Sequence, residues 1–199
     1  MKKHNKSELL IFSPTIEDGG VEKNLYLITD FLSNKLNRLT VVTANNNNKN
    51  KFNKKINIIS PKNNRWNKSN RIVKSIICIY MSLRYYLNQN RKITILSFNN
   101  NLFAIILSKI INIKVIIRLN TSLDSYLRSF FKKKFFKMIY SLSDKIIVNS
   151  NSMKRELKNI GLYSVCIYNP VENTNLIFKK SKIRIKEKFF KKNTFNILN

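Results

Sequence analysis

Seven short apolar runs, rich in β-branched residues, recur along this chain, and that repetition limits the fold more than any other feature. They fall at residues 8–13, 39–43, 56–59, 93–98, 113–119, 145–149 and 165–168. Stretches with apolar residues at helical spacing lie between most of them, at residues 21–36, 69–88, 102–111, 126–142 and 152–160. Strand alternating with helix predicts an α/β chain built on a doubly wound, mostly parallel sheet with helices on both faces. The run at 113–119 has few polar breaks, as a strand covered on both faces requires.

Local details sharpen this outline. In the first helix Val21, Leu25, Ile28, Leu32 and Leu36 share one face. In the long helix at 69–88 the expected inward face is Ile72, Ile76, Ile79, Leu83 and Leu87. Gly161 is placed to end the helix at 152–160 from the C′ position. The asparagine-rich segment 45–55 has Phe52 as its one bulky apolar residue and reads as a mobile loop.

A chain of 199 residues with 43% hydrophobic content and 13 Phe can bury a core. Its formal net charge of +28 attracts polyanions, whether nucleic acid, anionic lipid or phosphorylated substrate. The joint richness in Lys, Asn and Ile also fits an AT-biased coding sequence, so charge alone does not choose among these. The two cysteines, Cys78 and Cys166, sit inside apolar runs without zinc spacing and read as buried thiols of a reducing compartment. The single histidine, His4, leaves no His-based dyad or metal site. Residues 1–6 are basic without a following signal-like segment, and no run approaches the roughly 18 to 20 apolar residues a membrane helix needs.

In a doubly wound sheet, ligands bind beyond the carboxyl ends of the strands. Four polar segments fall at such ends: Gly19-Gly20, the stretch from Arg118 through Asn120 to Ser122, the stretch from Asn149 through Ser150 to Ser152, and Asn169. Gly19-Gly20 opens a helix directly after the first strand. A missing Cβ there either makes a tight turn or lets a phosphate approach unpaired N–H groups at the positive end of the helix dipole. Arg118 is either a site residue or half of an ion pair at the sheet end. Glu22, in the first helical turn, is expected to complement the dipole. Ser150 and Ser152 suit helix capping, and Asn169-Pro170 suits a hinge turn.

The motifs Gly19-Gly20-Val21-Glu22, Asp144-Lys145-Ile146-Ile147-Val148-Asn149-Ser150 and Ile167-Tyr168-Asn169-Pro170-Val171 occur in that order. Together they resemble the amino-terminal, acceptor-binding domain of the family 4 retaining glycosyltransferases, enzymes with two Rossmann-like domains in the GT-B architecture. The resemblance implies a Rossmann-like domain over 1–171, then a linker and the truncated start of a donor-binding domain over 172–199, with a short helix at 183–190 and a strand at 195–198. It implies transfer of a sugar, hexosyl in type, from a nucleotide-sugar donor to a glycan or lipid-linked acceptor. No resident cofactor or metal is called on, because the nucleotide sugar is a substrate. Gly19 and Gly20 would face the donor diphosphate, Arg118, Asn120 and Ser122 the acceptor side, and Ser150 and Asn169 the cleft or hinge; catalytic residues stay unassigned. Some members carry a histidine on the acceptor side and this chain has none there. The donor-binding residues of the family belong to its second domain, so the expectation is little transfer unless a separately encoded carboxyl-terminal domain supplies them. The implied setting is polysaccharide or lipopolysaccharide assembly in the cytoplasm, peripheral at the inner face of the cell membrane.

Other classes remain. The basic aromatic helix at 126–142 could lie on an anionic membrane surface, although a core role for Phe131, Phe135, Met138 and Leu142 is the expected one. A non-catalytic acceptor-binding fragment is a second alternative. A basic nucleic-acid-binding protein is a third; it lacks any helix-turn-helix, RNP or zinc-finger signature, so no specific nucleic acid is expected.

Overall fold

The computed structural model describes residues 7–17, 19–89, 91–123, 129–171 and 174–183. Seven strands form one sheet: β1 (Ser7–Phe12), β2 (Leu39–Val42), β3 (Asn57–Ile59), β4 (Lys92–Ser97), β5 (Lys114–Leu119), β6 (Lys145–Val148) and β7 (Val165–Cys166). Their spatial order is β3-β2-β1-β4-β5-β6-β7, and every neighbouring pair is parallel. The doubly wound sheet expected from the alternation of elements is therefore present.

The helices are α1 (Gly20–Ser33), α2 (Arg71–Leu87), α3 (Asn101–Ile110), α4 (Phe130–Tyr140), α5 (Asn151–Asn159) and α6 (Thr174–Ser181). Alternation along the strands divides the apolar residues between two faces. Leu10 and Phe12 of β1 join the cluster that holds Cys78, Ala104, Leu107, Phe136 and Leu157 from α2 to α5. Ile11 between them joins the cluster of Leu25, Val41, Phe52 and Phe98 on the α1 side. The chain leaves β1 through α1 toward β2 and leaves β4 through α3 toward β5, in opposite directions across the sheet. This reversal opens a crevice beyond the carboxyl ends of β1 and β4.

Three expectations need correction. First, segment 45–55 is not a free loop. It contains a 3-10 turn at Lys49–Lys51, and Phe52 is buried edge-on to Tyr26 with ring centroids 4.9 Å apart. Its asparagines bond to a second 3-10 turn, Asn64–Lys68: Asn46 Nδ2 donates to Asn64 Oδ1 at 3.0 Å and Asn67 Nδ2 to Asn47 Oδ1 at 2.8 Å. Asparagine amides can satisfy one another, so a polar run need not dissolve into solvent.

Second, α2 turns the other way. Ile72, Ile76 and Leu87 are exposed, while Lys74, Ser75, Cys78 and Ser82 are buried and Ile79 and Leu83 are half-buried. Small residues on the inner face let α2 sit close against α3, and the Ser75 hydroxyl is satisfied by donating to the Arg71 carbonyl at 2.8 Å.

Third, α4 buries Phe136 and packs Ile139 and Tyr140 against the core, but leaves Phe131, Phe135 and Met138 exposed, with Leu142 exposed just beyond its end, so the aromatic stripe expected inside is outside. The part of that predicted helix at 126–128 lies outside the described residues.

The stretch expected to be a linker carries α6 at Thr174–Ser181. The chain divides into two compact units, Met1–Asn169 and Pro170–Asn199. Within the second, Lys182 Nζ stands 4.3 Å from the Phe178 ring centroid. The helix expected at 183–190, beyond Ile183, and the strand expected at 195–198 lie outside the described residues.

Candidate functional site

A cleft of about 640 Å³ occupies the crevice between β1 and β4. The loop after β1 contributes Thr15, Glu17, Gly19 and Gly20, the segment after β4 contributes Asn99, Asn100 and Asn101, and the end of β5 contributes Arg118 and Asn120.

The glycine pair is not there for backbone strain. Gly19 has φ −146° and ψ −179°, an extended conformation open to any residue, and the one glycine at positive φ is Gly161, with φ 76°. What the pair supplies is space. A Cβ on Gly20 would meet no atom within 4 Å, and a Cβ on Gly19 would meet Glu22 Oε2 at 2.9 Å. The Glu22 carboxylate thus folds back over the first turn of α1, where the dipole favours an anion. No side chain caps α1 at Gly19, and Gly19, Gly20, Val21 and Glu22 line the cleft; Ser150 caps α5 in the ordinary way, accepting from Met153 N at 3.2 Å.

Arg118 stands at the carboxyl end of β5 with only 3% of its surface exposed. Its Nη2 donates to Asn169 Oδ1 at 2.7 Å and its Nε to Asn120 Oδ1 at 3.3 Å, so neither bond is to a carboxylate. Its guanidinium lies 5.8 Å from the Phe98 ring centroid. Burial pulls its pKa below the usual value, although an arginine stays protonated at any pH where a protein folds. Among the described residues its side-chain acceptors are neutral amides, and a buried cation so held is poorly compensated and favours a nearby anion. The sheet-end ion pair considered for it is absent among the described residues; the ion pair at the cleft is instead Arg71 to Glu17 at 3.1 Å, with both side chains largely exposed.

Of the residues singled out from the sequence, Gly19, Gly20, Arg118 and Asn120 line one cleft, and Asn169 reaches it through Arg118. Asn120 is fixed by donating from Nδ2 to the Phe98 carbonyl at 2.7 Å. Ser122 instead donates to Glu156 Oε2 of α5 at 2.9 Å, and Ser150 serves as a helix cap. Sequence reasoning missed Asn99, Asn100 and Asn101 as cleft residues. Asn99 Nδ2 donates to the Thr15 carbonyl at 2.8 Å, tying the end of β4 to the loop after β1. Asn100 adopts φ 54°, a left-handed conformation asparagine tolerates. The signal was available: three asparagines after a central strand mark a sheet end with unusual hydrogen-bonding capacity.

The fold recurs in solved glycosyltransferases. Anabaena HepE, solved with UDP and glucose, matches with a TM-score of 0.59 at 14% identity, over 85% of this chain and 46% of that one. The lipopolysaccharide outer core galactosyltransferase WaaB gives 0.53 at 15% identity, over 83% and 46%. The apo form of Phytolacca americana UGT2 gives 0.59 at 9% identity, over 88% and 54%. The chain spans about half the length of each of these structures. No curated protein matches it in sequence. Its sheet is that of the amino-terminal, Rossmann-like domain of the GT-B architecture. The family profile extends from residue 18 to residue 174, across the glycine turn, the Arg118 segment and Asn169, and the chain belongs to Glycosyltransferase Family 4.

Proposed function

We propose that this chain forms the acceptor-side half of a retaining hexosyltransferase, which moves a sugar from a nucleotide-sugar donor to a hydroxyl of a glycan or lipid-linked acceptor. The observation that carries this reading is Arg118, a buried guanidinium without a carboxylate partner among the described residues, in the same cleft as the open backbone of Gly20. A donor diphosphate laid against Gly19 and Gly20 would meet the N–H groups of the first turn of α1, and charge developing on the leaving phosphate would be stabilised electrostatically. Glu22, now over Gly19, would swing aside as the phosphate arrives, since two anions cannot share that end of the helix. Asn120, held rigidly by the Phe98 carbonyl, and Asn99 would orient acceptor hydroxyls. In this reading the nucleotide sugar is a substrate, no resident cofactor is called on, and the rest of the donor site comes from a second domain. A glycan of the cell envelope, built at the cytoplasmic face, is the acceptor class this reading favours.

Calorimetric titration of the chain with UDP and with inorganic pyrophosphate tests the phosphate site. Binding of both should weaken at least about tenfold in Gly20→Val and Arg118→Met, in line with the loss of a charge-assisted contact, and should be unchanged in Ser141→Ala. Equal binding by all four proteins would remove the phosphate assignment. Transfer is read by adding a panel of nucleotide sugars and extracted glycolipid with a carboxyl-terminal donor domain supplied in trans; product that does not depend on Asn120 would remove the acceptor-side assignment.

A further inference from the structure

We propose that Arg71 is a specificity residue of the cleft: it reads a negative group, carboxylate or phosphate, on an acidic sugar acceptor, and Glu17 holds it until that group arrives. The inference rests on the reading of this cleft as a glycosyltransferase acceptor site. Arg71 is the first residue of α2 and lines the cleft. A cation there opposes the positive end of the helix dipole, and the first turn of α2 carries no acid to offset it. Asn70 already caps the helix, accepting from Val73 N at 2.9 Å. The arginine therefore does nothing for α2 itself. Its partner is Glu17, in the loop after β1, and the two side chains are 70% and 56% exposed. An ion pair so open to water contributes little to the fold.

The contact is also incomplete. Both bonds come from Arg71 Nη2, at 3.1 Å to Glu17 Oε2 and 3.3 Å to Oε1. Nε and Nη1 make no hydrogen bond among the described residues, so most of the fork that grips a carboxylate or phosphate is unused. The neighbouring residues suit the same ligand. Asn101 lines the cleft with 8% of its surface exposed. Its Nδ2 donates to the Arg118 carbonyl at 3.0 Å, which fixes the orientation of the amide, and its Oδ1 has no donor among the described residues. A sugar hydroxyl is the kind of donor that oxygen lacks. Asn100 spends its Nδ2 on Ser75 Oγ at 2.6 Å and on the Arg71 carbonyl at 3.4 Å, which ties the start of α2 to the start of α3 and leaves α3 without a side-chain cap. A negative group beside Arg71 and residues 101–103 would meet the positive ends of two helices. In the proposed function Arg118 serves the donor phosphate. A second guanidinium in the cleft calls for a second anion, and the acceptor is what brings it. A neutral sugar would leave Arg71 with Glu17 and gain nothing from it.

The experiment is ligand-observed NMR titration of the full chain, at physiological salt, with methyl glucoside, glucuronate and glucose 6-phosphate. At least one of the two anionic sugars should bind about tenfold tighter than methyl glucoside, as a charge-assisted contact gives, and the tighter of them names the acid group. Arg71→Gln should bring that ratio to within about twofold of unity. Glu17→Gln should do the opposite and tighten the anionic sugar about two- to fivefold, because the competing carboxylate is gone. A merely structural ion pair would move both variants the same way. A chain of net charge +28 attracts any anion, so Lys54→Gln, an exposed cation outside the cleft, serves as the control of equal charge loss and should change binding less than about twofold. Circular dichroism confirms that each variant is folded. Four outcomes overturn the proposal: equal affinity for neutral and anionic sugars, a loss in Arg71→Gln no larger than in Lys54→Gln, a loss in Glu17→Gln like that in Arg71→Gln, or a preference lost in Gly20→Val, which would place the anion at α1. None of these touches the titrations with UDP and pyrophosphate, so the transferase reading can stand while this inference falls. UDP binding that ignores Gly20→Val while Arg71 still selects the acidic sugar would remove the donor-phosphate assignment and leave Arg71 as the residue that reads the anion.

Discussion

Arg118 Nη2 donates to Asn169 Oδ1 over 2.7 Å, which ties the end of β5 to the last residue of the larger compact unit. Asn169→Ala removes that acceptor and leaves the buried guanidinium with Asn120 as its one side-chain acceptor among the described residues, at 3.3 Å. Stability should fall by about 1 to 3 kcal/mol, the cost of a buried donor stripped of its partner. Arg118→Met should behave differently. The desolvation cost goes with the charge, and the oxygens left behind, on exposed Asn169 and half-buried Asn120, can turn to water, so urea unfolding should show little loss while pyrophosphate binding falls. A destabilisation by Arg118→Met that matched Asn169→Ala would mean that the arginine is structural rather than poised for an anion.

Gly20 offers a sharper separation of folding from binding. It is the first residue of α1 and a Cβ there meets open space. Gly20→Ala should leave stability unchanged or raise it by up to about 1 kcal/mol, because alanine loses less conformational entropy in a helix. It should still weaken pyrophosphate, since the added methyl stands where the anion must approach the backbone. Gly19→Ala meets only the end of a flexible side chain, Glu22 Oε2 at 2.9 Å, and should displace that carboxylate at less than about 1 kcal/mol. Thermal melts and calorimetry on the two variants check both statements.

The strand sequence was legible because each β-branched run is bounded by polar or turn residues, and parallel pairing follows from helices between strands. What was not legible is which side of an evenly apolar helix faces inward. On α2 an outer stripe of Ile72, Ile76 and Leu87 competes with an inner one built on Ser75, Cys78 and Ser82. Periodicity ranks the bulkier stripe first, yet close packing against α3 selects the smaller residues. On α4 the same ambiguity put Phe131 and Phe135 inside. At the site, Gly19-Gly20 and Arg118 could be read from their places at strand ends. The asparagine bonds could not, because Asn99 and Thr15 lie far apart in sequence and meet only once β1 and β4 are neighbours. Ser122 was drawn away by Glu156, an α5 residue whose approach no local pattern foretells.

The asparagine-rich segment makes a prediction against its composition. Phe52 is 7% exposed and packs on Tyr26, so Phe52→Ala should cost about 3 kcal/mol or more, as removal of a buried aromatic does. Amide exchange should show protection at Phe52 and Ile56, whose N–H groups donate to the Lys49 and Asn53 carbonyls at 3.1 and 3.0 Å. Exchange at the rate of free peptide there would return the segment to the mobile loop that its sequence suggests.

Cys78 provides a pH signature. It is fully buried on the inner face of α2, and burial pushes its thiol far above the ordinary range, with a smaller opposing pull from Lys74. The native thiol therefore stays protonated, while in the unfolded chain it ionises near pH 8.5. The native state then holds the proton that the unfolded state releases. This group's contribution to stability is complete below about pH 8.5 and declines as pH rises beyond it, by at most about 1.4 kcal/mol per pH unit. Cys78→Ala should be destabilised at neutral pH by the loss of packing, and its deficit against the parent chain should shrink between about pH 8.5 and 10. A deficit that stays constant across that window would show that the thiol ionises in the folded chain. Thiol labelling gives an independent check: at pH 8 the half-buried Cys166 should react first, and Cys78 only at the rate of unfolding.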